Sequence, residues 1–280
     1  MKRGIDNNRN KIFPYSMQIS KNVQKLIKSL ETKKYRMLHQ LFVAEGPKVV
    51  AELAPAFKLH TLVATEEWVQ QSNGQSIIHT YNPNLYIVDE QQLTKTSLLQ
   101  HPQQVMALFE IPERKEPQID SNDLTLMLDG VQDPGNMGTI IRIADWFGIH
   151  NIICSNASAD AYNPKVVQST MGSLSRVSVT YADLEPLLAP LCGKVPIYGT
   201  LLDGSNIYDQ PLSARGIIIM GNEGKGISPD IRKYIDAPLL IPSYNKDSAE
   251  SLNVAIATAI TCAEFRRREA IQVPPTGISS

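Results

Sequence analysis

The chain reads as an α/β protein of two domains, the second built on a parallel sheet. Three observations predict this. Short, continuously apolar segments, LTLMLDGV, NIICS, RVSVTY, PIYGTLL, GIIIMG and APLLIP, recur through the second half. Helical or turn-forming segments such as MGTIIRIADWFG, PKVVQSTMGS, DLEPLLAPL and SPDIRKY separate them. Strands apolar on both faces and joined by helices form a parallel sheet, because each crossover lays a helix on a sheet face. The third observation is the run IPERKEPQIDSND, whose two prolines and dense charge have linker composition. The expected organisation is a tail over 1–19, a small α/β domain over 20–117 and a larger α/β domain over 118–280.

The 280 residues and 42% hydrophobic content suit a well-packed chain of one large or two medium domains. No apolar run approaches the roughly 18 residues that span a bilayer, and the N-terminus lacks a signal-peptide core, so a cytoplasmic protein without membrane contact is expected. Cys154, Cys192 and Cys262 lie in apolar surroundings without metal or redox spacing; all three read as small core residues, and no metal is expected. The net charge of −1 hides an asymmetry. Residues 1–58 hold 12 Lys+Arg against 4 Asp+Glu, while the remainder holds 15 against 24. A basic end of this kind suits either a phosphate backbone or a solvated helical face.

Taken in order, MKRGIDNNRNKIFPYS reads as a mobile tail, with Met17 as an alternative start. Val23, Leu26, Ile27 and Leu30 follow at helical spacing among lysines. The strand-like LFVAEG precedes a helix over Pro47–Ala54, opened by its proline. The segments TLVAT, IIHTY, LYIVD and VMALFEI read as strands of the smaller domain.

Parallel sheets place ligand sites in loops beyond the strand C-termini, and three such loops carry unusual polar residues. In QDPGNMGTIIR, Asn136 reads as an N-cap, with Gly135 and Gly138 permitting close approach and Arg142 on the first turns of the helix. The turn GNEGKG over 221–226 has neither dinucleotide nor Walker spacing, and Glu223 suits a cationic or hydroxyl-bearing ligand. The stretch from Leu239 to Arg268 reads as a strand, a loop with Pro242, Tyr244 and Asn245, and a long helix whose first turn is Glu250, Ser251, Leu252 and Asn253.

These blocks, NxGxxxR, GxExxG and IP followed by SLNV, resemble the motifs of the SpoU/TrmH family of ribose 2′-O-methyltransferases within the SPOUT class. Upstream, KYRMLHQLFVAEGPKVVAEL is similar to the substrate-binding domain that precedes the catalytic domain in many members. The resemblance implies an α/β SPOUT domain with a deep trefoil knot, preceded by a small RNA-binding domain of ribosomal-protein type. It also implies a homodimer and S-adenosylmethionine as cofactor. Arg142, Asn136, Glu223, Ser251 and Asn253 match the polar active-site positions. Thr200, Leu201, Gly221, Asn222, Gly226, Ile241 and Leu252 are the expected cofactor-binding residues. Lys33, Lys34, Arg36 and Lys165 are the expected RNA contacts, with ribosomal RNA favoured over transfer RNA. Two departures stand out: the loop before SLNV is about two residues longer than usual and lacks glycine, and Gln168 stands where arginine is common. The alternatives are a noncatalytic RNA-binding or ribosome-assembly protein on the same fold, and, disfavoured by the missing GxGxxG, a nicotinamide-dependent enzyme.

Overall fold

A computed structural model of the protein describes residues 18–114, 116–119, 122–245 and 251–272. The expected tail up to residue 16, and Glu250, lie outside the described residues. The chain forms two compact units: one runs to Pro112 and includes Tyr162–Ser175, the other comprises Glu113–Ala161 and the chain from Arg176 onward. The division is not linear in sequence, because a segment from the second half folds into the first unit.

In the first unit, Ser20 caps α1 (Lys21–Ser29) by accepting from the Val23 N–H. Ile27 on the inner face of α1 and Leu30 just past its end join Leu41, Val43, Val63 and Met106 in one core. After α2 (Lys33–His39) come β1 (Leu41–Glu45), α3 (Pro47–Leu53) and β2 (Leu59–Thr65). Thr65 then caps α4 (Glu66–Gln70), and α5 (Ser72–Tyr81) leads to β3 (Asn84–Val88), α6 (Glu90–Thr96) and β4 (Val105–Glu110). The sheet order is β1-β4-β2-β3, with β4 antiparallel to both neighbours and β2 parallel to β3.

Three expectations fail here for identifiable reasons. The segment IIHTY is the end of α5, not a strand: Gly74, Ile77 and Ile78 are buried at i, i+3 and i+4, which is a helix face, and Asn82 ends the helix in a left-handed conformation. Arg36, expected at an RNA-facing surface, is 1% exposed. Its guanidinium donates to the carbonyls of Leu30 and Glu31 (2.8 and 2.7 Å), just past α1, so it serves as an anchor between two helices. Lys33 and Lys34 are exposed as expected of solvent-facing cations, and so is Lys165. Of the cysteines, Cys154 and Cys262 are buried, but Cys192 is exposed, because it sits in a turn and not in a strand or helix.

The second unit carries β5 (Leu124–Asp129), α7 (Pro134–Trp146) and β6 (Asn151–Ser155). The chain then passes through α8 (Pro164–Thr170) of the first unit to β7 (Ser178–Ala182) and α9 (Leu184–Leu188). It closes with β8 (Ile197–Asn206), β9 (Gly216–Gly221), α10 (Pro229–Arg232), β10 (Ala237–Leu240) and α11 (Val254–Gln272). Six strands pair in the order β10-β8-β9-β5-β6-β7, parallel throughout as predicted. Met127, Ile153, Ile217 and Ile219 point to one face, where Leu184, Leu188, Ile227 and Ile231 cover them. The alternate residue Tyr198 packs edge-on against Phe265 of α11, at 4.8 Å between ring centroids, so α11 covers the opposite face. There α11 packs against α7, and Arg266 donates to the carbonyls of Phe147 and Gly148 at the end of α7.

The pairing of β10 with β8 slips once. Pro238 is opposite Gly199, but Leu239 is opposite Ser205, so residues 200–204 leave the ladder and form an excursion at the sheet edge. A Cβ on Gly204 would meet the Leu239 backbone at 2.7 Å, which explains glycine at that crossing.

Replacing Arg36 with Met keeps the buried stem but leaves the two carbonyls without their donor. Chemical denaturation should then show a loss of about 1–3 kcal/mol, the cost of unpaired buried acceptors. An unchanged midpoint would contradict the anchoring role.

Candidate active site at the strand ends

The site begins where β5 ends. The chain turns at Gly130 (φ +73°), and Asp133 caps α7 by accepting from the Asn136 N–H at 2.8 Å, with Pro134 as the first helical residue. Asn136 is therefore not the N-cap that the sequence predicts. The aspartate immediately before a helix-opening proline was the signal for the cap. With capping assigned to Asp133, both ends of the Asn136 amide are available for longer-range bonds.

Those bonds connect segments far apart in sequence. Asn136 Nδ2 donates to Glu223 Oε1 at 3.0 Å, and Asn136 Oδ1 accepts from Asn253 Nδ2 at 2.9 Å. Glu223 also accepts from the backbone N–H groups of Gln132 and Asp133 (3.4 and 3.3 Å). Burial pushes the Glu223 carboxyl up, but the donors from Asn136, Asp133 and Gln132 outweigh it and hold the group below its ordinary value. Asn253 closes the chain of bonds and caps α11, its Oδ1 accepting from the N–H groups of Ala255 and Ile256. The helix thus begins at Val254, and Ser251, Leu252 and Asn253 form its lead-in instead of its first turn.

The turn after β9 is built for close backbone approach. Asn222 and Gly226 exchange backbone hydrogen bonds (3.0 and 2.9 Å), while Asn222 Oδ1 accepts from Gly224 and Lys225 and its Nδ2 donates to Gly130 O. A Cβ on Gly221 would meet the Gly226 and Ile227 backbone at 2.3–2.7 Å, so only glycine fits.

Beside this network lies a cleft of about 620 Å³. Thr200, Leu201, Gly221, Asn222, Gly226, Ile241 and Leu252 all line it, as do Glu223 and Ser251. The excursion of β8, the β9 turn and the lead-in to α11 supply the three walls. Asn136 and Asn253 stand behind Glu223 and not in the wall itself. Arg142 is not brought into this cluster: it is exposed on α7 and its side chain, among the described residues, makes no hydrogen bond or ion pair. The sequence reading overlooked Asp203 and Arg232, which line the cleft and pair with each other. They belong to no motif and are adjacent only because residues 200–204 leave the ladder. Among the described residues no cluster of three or more His, Cys, Asp or Glu is placed to hold a metal, and no helix is long and apolar enough to cross a membrane.

Residues 123–263 match the model of the SpoU rRNA Methylase family, and residues 21–107 match an MRM3-like substrate binding domain. The 23S rRNA (guanosine(2553)-2′-O)-methyltransferase RlmP of Bacillus subtilis is 33% identical over 243 residues, covering 85% of this chain and 94% of that protein. The 23S rRNA (uridine(2479)-2′-O)-methyltransferase of Streptomyces viridochromogenes is 34% identical over 178 residues, 60% of this chain and 61% of its own. Among solved structures, an RNA methyltransferase of the TrmH family from Porphyromonas gingivalis superposes with a TM-score of 0.79 at 40% identity, over 90% of this chain and 100% of its own. An AdoMet-bound rRNA methyltransferase from Sinorhizobium meliloti gives 0.78 at 29% identity, over 90% and 97%.

Because the Glu223 carboxyl is held below its ordinary value, its stabilising bonds are fully present above the unfolded glutamate pKa of about 4.3 and are lost as pH falls through the lower folded value. Thermal unfolding followed against pH should show a wild-type stability loss in that acid range which Glu223→Gln lacks. Parallel profiles for the two proteins would contradict the anionic hub.

Proposed function

The chain belongs to the SpoU rRNA Methylase family, and on that premise we propose that it is an S-adenosylmethionine-dependent RNA methyltransferase acting on a ribose 2′-hydroxyl of ribosomal RNA in the cytoplasm. The observation that carries the proposal is the single chain of hydrogen bonds Asn253, Asn136, Glu223, which ties all three motif loops to the wall of one cleft.

The cleft suits the proposed cofactor. Thr200, Leu201, Gly221, Asn222, Gly226, Ile241 and Leu252, which line the cleft, would hold the cofactor, with Leu201, Ile241 and Leu252 offering aliphatic surface. Glu223, held anionic, favours a cationic group beside it. When bound, S-adenosylmethionine supplies an electrophilic methyl on a positively charged sulfur. The chain must then position the ribose hydroxyl in line and ease the loss of its proton, and orientation alone supplies several kcal/mol of such a barrier.

Arg142 is proposed to clamp the phosphate of the target nucleotide and to polarise its 2′-hydroxyl. A guanidinium with a pKa above about 12 is a poor base, so it acts by electrostatically lowering the hydroxyl pKa and not by taking the proton. Ser251, in the cleft wall, orients the same hydroxyl, while Asn136, Glu223 and Asn253 fix the loops.

Arg142 lies one turn before Trp146 on α7, and Trp146 is 84% exposed. Ile256, on the neighbouring α11, is 52% exposed. This apolar face supports a homodimer in which Arg142 serves the partner's cleft, and it accounts for the distance of Arg142 from its own motif partners. The knot implied by the family belongs to the same proposal, as does RNA binding through Lys33 and Lys34 in a substrate-binding domain ahead of the catalytic one, and through Lys165.

Arg142→Ala should lower methyl transfer by about a hundredfold or more, the scale seen when one electrostatic donor is removed from an active site. Calorimetric affinity for S-adenosylmethionine should stay within about twofold of wild type, since one decade corresponds to about 1.4 kcal/mol. Equal loss of both would overturn the assignment. An RNA whose target carries 2′-deoxyribose should be inert.

A further inference from the structure

The exposed face of α2 has no role in the site described above, and its composition is unusual. Tyr35, Met37 and Leu38 are 40, 53 and 67% exposed on a helix of seven residues. At about 100° per residue, Lys34 and Leu38 stand opposite the buried Arg36, with Tyr35 and Met37 flanking them. The Tyr35 and His39 rings are close to parallel, at 15° and 6.4 Å between centroids, and both are exposed. Lys34 Nζ lies 6.0 Å from the Tyr35 ring centroid, and Lys33, before it on the helix, is exposed. From Thr32 to Gln40 there is no acidic residue.

We infer that this face of α2 is a stacking platform for an unpaired RNA base, with Tyr35 as the stacking ring and Lys34 as the phosphate contact. The inference rests on the proposal that RNA is the substrate. Flat aromatic faces combined with cations fit a nucleotide, whose base offers a π-face and whose backbone offers negative charge. The base must be unpaired, because a base within a duplex is already stacked on both sides. The mount is rigid: Arg36 bonds the carbonyls of Leu30 and Glu31, so α2 is fixed to the end of α1 while its opposite face is turned to solvent. A protein partner would use the same apolar side chains but would gain little from a lysine over the ring in a stretch without an acidic residue.

The platform is tested in the full-length chain with two RNA probes carrying 2-aminopurine, one in a single-stranded segment and one within a duplex. Binding to the single-stranded probe should quench its fluorescence. Tyr35→Ala should abolish the quenching and weaken binding about tenfold, and Tyr35→Phe should retain both, because the ring and not the hydroxyl stacks. Duplex affinity should change less than about twofold. The thermal midpoint of Tyr35→Ala, a change at an exposed position, separates lost stacking from lost folding. Equal quenching by wild type and Tyr35→Ala would overturn the platform, as would a wild-type protein that binds neither probe. Calorimetry with S-adenosylmethionine on the same samples keeps the two readings apart. Cofactor binding with unchanged quenching sinks the platform alone, whereas quenching without cofactor binding sinks the methyltransferase reading alone.

Discussion

One carboxylate holds the site together. Glu223 accepts from a side chain on α7 and from two backbone groups ahead of it, and through Asn136 it reaches the cap of α11. Segments near residues 133, 223 and 253 are separated by about ninety and thirty positions, and no local interaction would bring them together. The sheet order makes the meeting possible: β9 and β5 are neighbours, so the turns at their C-terminal ends are adjacent. The polar groups divide the work. Asp133 and Asn253 satisfy helix starts, Asn222 staples its own turn, and Asn136 bridges.

Close packing of backbone against backbone is a second constraint around the cleft. Gly221 and Gly204 stand where a Cβ would strike neighbouring backbone at less than 3 Å. The slip in pairing between β10 and β8 opens the wall that Thr200 and Leu201 line. Glycine and excursion together set the path of the chain around the cleft. Residues such as Thr200 and Ile241 are inconspicuous in sequence despite lining the cleft.

The strands of the second unit were legible because burial on both faces makes them continuously apolar, from Leu124 to Asp129 and from Gly216 to Gly221. The polar loop residues were legible as motifs. What failed was local geometry. Asn136 looked like a cap because it precedes an apolar helix, but Asp133 before Pro134 was the stronger signal. The segment IIHTY reads as a short apolar strand, but its burial, with that of Gly74, follows a helical period. Arg36 was grouped with surface cations, since sequence does not reveal that a guanidinium is needed to satisfy two carbonyls past α1. A knot leaves no periodic trace at all, because threading is a property of the path and not of any segment.

The central claim is methyl transfer to a ribose oxygen. The most direct test is mass-spectrometric nucleoside analysis of unmodified ribosomal RNA after incubation with the protein and S-adenosylmethionine. The account predicts a single class of product, a 2′-O-methylnucleoside. A base-methylated nucleoside, or no methylation by a protein that binds the cofactor and the RNA, would contradict it.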